Sequence, residues 1–505
     1  MAVSKKDEGR GSGIIRPFGN LECYEYHMLQ LRFLGNTIVS CRYTLPAALL
    51  ADADRHHGVV VARVEDAIAR VVLEHAALRI DVVNADSKRP AWVGVERVDF
   101  AHHVRWEEGG GGGGAEDSSE AKLREIIERR LNEPEANLAK RPGWRVLVLH
   151  GRGGSGPFLD IVFDYSHGLG DGTSGKIFHE TLLRLLNTPP PTSAEPQSPL
   201  TNRVLTIPPT AAPLPPAVEK LAKFPVSAKF ALSTAWKELR PPSFSPGTAA
   251  QAHWAPIRTT PYRTRLRSFD VSREDTARIL AACRAHGTTL TGLLHALLLV
   301  CMAARVPAGS AAAFTGSTAL DLRRHLAASA GLDPRRTMAD YVSQTVHEFD
   351  AELVRRVRDV SDDGDSTAPA RAEIMWSCAA RVRREIQKRL DRGLKNDLVG
   401  LMRLVPDWRA QFRAEAGKPR VYSFVVSNLG VLDGGVGDAE SWGIAHSVFA
   451  ISAEVVGAAF QVSPISVKGG ALCVSCSWQD CVVDAGLAGA VVADLELWLR
   501  FLGKP

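Results

Sequence analysis

The residues best suited to chemistry lie in one stretch, Phe163-Asp-Tyr-Ser-His167-Gly-Leu-Gly-Asp171-Gly172-Thr-Ser-Gly-Lys. An apolar run ends, His167 follows, and a glycine-rich turn leads through Asp171 and Gly172 into an amphipathic segment. A histidine at the lip of a strand can reach a cleft. Near pH 7 a neutral imidazole is the natural base for removing a hydroxyl proton. Asp171 lies inside the turn, where it can orient the backbone or bind an arginine. Arg323 and Arg16 are both candidates for that partner, and a solvated arginine is the alternative for each. Gly168, Gly170 and Gly172 are expected to allow tight or positive-φ conformations. The bare pattern HxxxDG is weak, since a solvated surface turn carries the same letters. Its placement after a strand and before a helix strengthens it. The sequence shows no GxSxG elbow and no Ser–His–Asp set. A lone base of this kind suits direct attack by an activated substrate.

Other candidates are weaker. Ser427 and Asn428 follow the apolar run Val421–Val426, where a hydroxyl or amide could meet a reacting carbonyl; an ordinary strand-to-turn boundary is the alternative. The pairs His56-His57 and His102-His103 stand in polar contexts and read as solvated surface. His75 reads as a satisfied core residue, and Gly287-Thr-Thr-Leu-Thr as a helix start with hydroxyl caps. The eight cysteines are sparse, and Cys473 and Cys476 would point to opposite faces of a strand. With no second CxxC and no neighbouring His pair, they read as core thiols, and no metal site is expected.

The elements that must carry these residues follow from periodicity. The chain has 505 residues, 45% hydrophobic and 23% charged, which excludes a disordered or collagenous chain. Sixty-one basic against fifty-six acidic residues give +5, without a basic block, so no nucleic-acid partner is expected. No apolar leader or 18-residue apolar stretch is present, which predicts a cytoplasmic protein without a membrane span. Residues 1–13 are expected to be disordered. Residues 14–187 alternate helical and strand patterns, including a hairpin from Trp144–His150 and Phe158–Tyr165 and a helix over Thr173–Leu186. The six glycines 109–114 mark a surface insertion spanning Glu107–Glu120. Ten prolines among residues 189–216 mark an extended crossover assigned to 188–250. Residues 251–505 repeat the alternation, with strands at Tyr262–Val271, Phe314–Leu322, Val421–Ser427, Ala459–Val467 and Ala471–Trp478. Helices are expected at Thr289–Ala304, Ala370–Leu390 and Asp484–Phe501, with a loop at Asp359–Ser366. The closing helix reads as core rather than membrane-bound. Two α/β halves with a cleft between them are implied.

These residues resemble the chloramphenicol-acetyltransferase-like superfamily, whose signature is HxxxDG at a strand end, and within it the fungal alcohol acetyltransferases. The resemblance is carried by Arg16-Pro-Phe-Gly-Asn-Leu-Glu-Cys-Tyr, Glu74-His-Ala-Ala-Leu-Arg79, His167 through Gly175 with Phe178-His179, Asp321-Leu-Arg323, Ser427-Asn-Leu-Gly430 and Val467-Lys-Gly-Gly-Ala-Leu, in collinear order. It departs from relatives with two adjacent histidines, having Ser166-His167, and from the plant branch in lacking DFGWG. The resemblance implies two CAT-like subdomains with a tunnel between them and an acyl-CoA-dependent O-acyltransferase of secondary metabolism that forms esters. It implies acetyl-CoA as co-substrate, a small-molecule alcohol as acceptor, His167 as general base, Asp171 as organiser of the turn and no metal. The chain is expected to act as a monomer. Amide formation, cyclisation without coenzyme A, and non-catalytic binding of an apolar molecule remain alternatives on the same scaffold.

Overall fold

The computed structural model describes residues 10–504 other than 51–52, 110–114, 134–140, 154–155, 190–197, 240–251, 329–331, 363–367 and 436–438. Two sheets organise it. The first runs Gly443–Ile451, Asn36–Thr44, Gly156–Ser166, Trp144–Gly153, Val104–Glu108. Its pairs are antiparallel except the last, which is parallel. Val146, Leu147 and Val148 are all fully buried, so consecutive side chains on both faces are covered. That is why the run reads as continuously apolar instead of alternating. The second sheet orders Thr264–Val271, Leu472–Gln479, Phe460–Val467, Phe424–Val426, Phe314–Asp321 and Val342–Phe349, with Gly430–Leu432 paired to Phe460–Val467. The helix Leu290–Arg305, apolar on every side, fills the core beneath this sheet, and Thr289 caps it by accepting from the Gly292 N–H.

Several boundaries differ from expectation. The strand Gly443–Ile451, assigned to the C-terminal subdomain, hydrogen-bonds along Asn36–Thr44 and forms the edge of the N-terminal sheet. This strand is not among those expected from the sequence, and its pairing brings residues of the 14–187 and 251–505 stretches into one sheet. Arg10–Gly13 belong to a strand, Arg10–Pro17, that pairs with Ala91–Val95, so disorder does not extend to residue 13. Residues 1–9 lie outside the described residues. The helix Ala115–Asn132 begins inside the expected insertion, whose residues 110–114 also lie outside them. Leu200–Thr201 and Val204–Thr206 form strands within the crossover, the second pairing with Arg97–Asp99. The helix Ala351–Asp362 occupies the start of the expected acidic loop.

Cys473 packs in the N-terminal core and Cys476 in the C-terminal core, the opposite-face placement that a two-residue period requires. His75 is buried with Nε2 2.9 Å from the Thr181 hydroxyl, as expected of a core histidine. His103 is not solvated: it is 4% exposed, and its Nδ1 donates to the Trp144 carbonyl at 2.8 Å. His57 and His102 are exposed, and the His56 side chain is outside the described residues.

Candidate active site

His167 opens a short 3-10 turn, His167–Leu169, where the Gly156–Ser166 strand ends. Asp171 caps the helix Gly172–Leu186, its Oδ1 accepting from the Ser174 amide at 3.0 Å and the Ser174 hydroxyl at 3.1 Å. Its Oδ2 accepts from Arg323 Nη1 at 2.5 Å and from the Tyr341 amide at 3.0 Å. The Tyr165 hydroxyl donates to the Asp171 carbonyl at 2.7 Å. Both carboxylate oxygens are therefore committed away from His167. Arg323, not Arg16, is the partner. Arg16 instead makes a two-pronged contact with Glu22, at 2.7 Å for each prong, and Glu22 in turn accepts from the Gly19 amide to cap the helix Asn20–Gln30.

Of the three glycines, Gly170 and Gly172 serve close approach rather than positive φ. None of the three is in the left-handed region, and Gly170 is extended at φ 177°. A Cβ on Gly170 would lie 2.5 Å from the Ser174 hydroxyl oxygen, and one on Gly172 would lie 2.7 Å from Leu429 and 2.9 Å from the Phe449 ring. A Cβ on Gly168 would meet nothing closer than 3.7 Å. The Gly172 contact also shows that the Ser427–Leu429 segment lies against the first turn of the helix. Asn428 braces that segment, donating to the Thr291 hydroxyl at 3.1 Å and accepting from the Gly430 amide at 2.8 Å. Ser427 is half-buried beside it. Near the same helix start, an open cavity of about 370 Å³ is lined by Thr173, Asp321, Arg323, Arg324 and Arg335 among others.

Three acids around His167 were not foreseen. His167 is 13% exposed in its side chain, and its Nδ1 is buried, without a hydrogen bond, 3.7 Å from Glu25 Oε2. Potential ligand atoms of Glu25, His167 and Asp340 all lie within 4.8 Å of one another. Both Asp340 oxygens are buried and unpaired. Burial pushes the Glu25 carboxyl up to about 8, and Glu454 adds to the shift. Burial, then Glu25, drives Asp340 well above the usual carboxylate range, while the charge of His167 opposes the shift. Burial also raises Glu454, against the charge of His167. One of the three left a readable trace. Leu21, Glu25 and Met28 share a helical stripe and are all buried, so Glu25 is an acid on an apolar face.

Two further polar groups sit elsewhere. Asp270, His446 and Cys473 also bring potential ligand atoms within 4.8 Å, a juxtaposition that linear spacing hid. A register shift between Ile444 and His446 re-aims this histidine, and its Nε2 donates to Asp270 at 3.0 Å. Burial opposes the charged His446, but Asp270 outweighs it and raises its pKa. In the C-terminal core, Thr318 Oγ1 lies 2.9 Å from His347 Nε2, and His347 Nδ1 lies 2.6 Å from Glu385. That order suggests a nucleophile triad. However, Thr318 is 4% exposed and its hydroxyl also meets His295 at 2.7 Å, so it is locked inside the core.

Comparison with known proteins identifies the fold and the family. Residues 116–485 match the family model of alcohol acetyltransferases. The chain is 29% identical over 447 residues to a probable alcohol acetyltransferase, FCK4, of Fusarium pseudograminearum strain CS3096, covering 87% of this chain and 86% of the relative. It is 24% identical over 478 residues to the probable alcohol acetyltransferase crmB of Aspergillus fumigatus, covering 93% and 96%. Among solved structures, the trichothecene 15-O-acetyltransferase TRI3 of Fusarium sporotrichioides superposes with a TM-score of 0.68 at 12% identity, covering 97% of this chain and 94% of that one. The first condensation domain of the CDA synthetase gives 0.58 at 15% identity, covering 97% and 95%. The two structural likenesses establish the CAT-like two-subdomain fold, and with the family match over most of its length the chain belongs to the alcohol acetyltransferase family and is an acyltransferase.

Proposed function

We propose that the protein transfers an acetyl group from acetyl-CoA to a hydroxyl of a small-molecule alcohol, with His167 as the general base. The observation that carries this reading is the setting of His167. Its Nδ1 is buried against Glu25 at the junction of strand and helix, which leaves Nε2 for the substrate. Nε2 takes the hydroxyl proton as the oxygen attacks the thioester carbonyl. The carbon–sulfur bond then breaks, and the proton passes from Nε2 to the departing thiolate. The Ser427 hydroxyl, with the Asn428 amide beside it, is the donor assigned to the developing oxyanion. Asp171 acts at one remove by fixing the turn. The step as written requires no metal. Arg324 and Arg335 give the cavity beside Thr173 a cationic rim suited to the phosphates of coenzyme A.

The reading is tested by incubating the purified chain with acetyl-CoA and a panel of alcohols, following thiol release and ester mass. His167→Ala should reduce turnover by roughly two to four orders of magnitude. Its binding of coenzyme A should be preserved. Near-normal ester formation by His167→Ala would remove the base from the mechanism.

A further inference from the structure

The HxxxDG turn explains how His167 is placed but not what faces its buried nitrogen. Glu25 and Asp340 do so, from two separate segments, the helix Asn20–Gln30 and the stretch ahead of the Val342–Phe349 strand, while Glu454, in the loop after Gly443–Ile451, feels the ring through its charge. Asp171 and Arg323 lie farther out and neutralise each other. The stretch bearing Asp340 is held on both sides by that ion pair. The Ala339 carbonyl accepts from Arg323 Nη2 at 2.8 Å and from the Ser174 hydroxyl at 3.0 Å, and the Tyr341 amide donates to Asp171 Oδ2. The Asp171–Arg323 clamp thus presents Asp340 between two pinned residues, 5% exposed, with no hydrogen bond to either oxygen.

We infer that Glu25 and Asp340 form a carboxyl pair in which Asp340 keeps a proton and donates it to Glu25, and that Glu25, once ionised, positions His167 through Nδ1. Two buried carboxyls this close cannot both ionise, so at least one proton stays with the pair. Asp340 is the member held more firmly in the acid form, while Glu25 is poised at about 8. A charge on Glu25 selects the tautomer with hydrogen on Nδ1, which makes Nε2 the basic nitrogen. It also stabilises the imidazolium that forms when the alcohol proton arrives. The gap of 3.7 Å is longer than a hydrogen bond and is expected to close in the complex, as acid–base contacts tighten when substrate binds. The shared proton never leaves the pair, so the proton taken from the alcohol still ends on the thiolate. Glu25 and Asp340 are then positioning residues, because neither touches the reacting atoms.

This inference rests on His167 being the base, and its test separates the two. Ligand-free, full-length enzyme with nitrogen-labelled histidine reports the His167 tautomer by NMR, the His167→Ala protein providing the assignment. Above pH 8, where Glu25 is ionised, the wild-type ring should be mainly Nδ1–H, and Glu25→Gln should raise the Nε2–H fraction at least several-fold. In turnover, Glu25→Gln should lower kcat by roughly 10- to 100-fold with KM for acetyl-CoA within about twofold. Asp340→Asn, which can still donate to Glu25, should stay within about threefold of wild type, whereas Asp340→Leu should fall as far as Glu25→Gln. Should Glu25→Gln fail to fold, Glu25→Asp must shift the tautomer ratio in the same direction by a smaller amount. An unchanged tautomer ratio on removing the Glu25 carboxylate, or an Asp340→Asn enzyme as impaired as Asp340→Leu, overturns the pair. Wild type without ester formation but with the expected tautomer shift sinks the proposed reaction and leaves the pair standing.

Discussion

Asp171 and Arg323, 152 residues apart in sequence, meet at 2.5 Å in the interior, with side chains 5% and 3% exposed. The pair joins the start of the Gly172–Leu186 helix to the end of the Phe314–Asp321 strand, one element from each half of the molecule. Burial disfavours the charged guanidinium, but Asp171 more than compensates and holds Arg323 firmly protonated. Breaking such a pair leaves an uncompensated buried charge, which costs more than the pair itself contributes.

Asp171→Asn keeps the helix cap and removes the charge, so it isolates this effect. It should destabilise the fold by about 3 kcal/mol, as should Arg323→Met. Combined, the two substitutions should cost at least about 1 kcal/mol less than the sum of their separate costs, because neither partner is then left alone. Urea unfolding of the four proteins measures this directly. Strict additivity would mean that the two groups act independently.

The sequence announced the pair only in part. HxxxDG located Asp171, but choosing between Arg323 and Arg16 required knowing which chain segments meet. Arg16 lies six residues from Glu22 and is taken up locally. Strand positions were legible because apolar runs in the two cores are long and continuous. Gly443–Ile451 went unread as a strand, and it joins the other sheet only through tertiary pairing. Glu25 was readable as an acid on an apolar stripe. Asp340 stands in an irregular segment with no period to violate, and its burial is imposed from outside by Asp171 and Arg323.

The glycines make a graded prediction. At Gly172 a methyl group would press on Leu429 and Phe449, both hemmed in by the core, whereas at Gly168 it would have ordinary contacts. Overpacking of this kind costs typically 1–3 kcal/mol. Gly172→Ala should therefore lose stability in about that range, and Gly168→Ala should stay within about 0.5 kcal/mol of wild type. Chemical denaturation that ranks the two equally would return the explanation to backbone conformation.

Stability should pass through a maximum near pH 6.5. Burial holds His75, His103 and His179 at about 4, and His295 well below its ordinary value. Below 6.5 the unfolded chain binds more protons at these sites, so stability rises with pH through that range. Glu25 and Glu454 behave oppositely, as does Asp340. Their native forms hold protons that the unfolded chain releases near the ordinary carboxylate range, so their contribution is lost as pH climbs through the folded values, about 8 for Glu25. Above 6.5 the histidines of the unfolded chain progressively give up their protons, so their effect fades and the acids dominate. Urea midpoints should fall across that interval, and Glu25→Gln should flatten the fall. A wild-type midpoint that is level from pH 6.5 to 8 would show that Glu25 is not held in its acid form.

The order of events follows from the lack, among the described residues, of a usable nucleophile beside His167. A covalent route would need a thiolate or an activated hydroxyl that takes the acetyl group before the alcohol binds. Burial pushes the Cys23 thiol up to about 12 and Cys283 and Cys378 up to about 11, and it drives Cys41, Cys301, Cys473 and Cys476 higher still. Thiols so shifted stay protonated and unreactive at neutral pH. Cys481 is half-buried and donates to the Pro261 carbonyl at 3.3 Å. Thr318 has an imidazole and a carboxylate in line behind it, but its hydroxyl is clasped by two histidines inside the core. Transfer should therefore pass through a ternary complex. Initial rates varied against both substrates should give intersecting reciprocal plots, and enzyme held with acetyl-CoA alone should keep its mass. Parallel plots with a gain of one acetyl group, mapped by peptide mass to Thr318 or to a cysteine, would replace direct transfer with an acyl-enzyme and make the buried Thr318–His347–Glu385 array the first place to look for it.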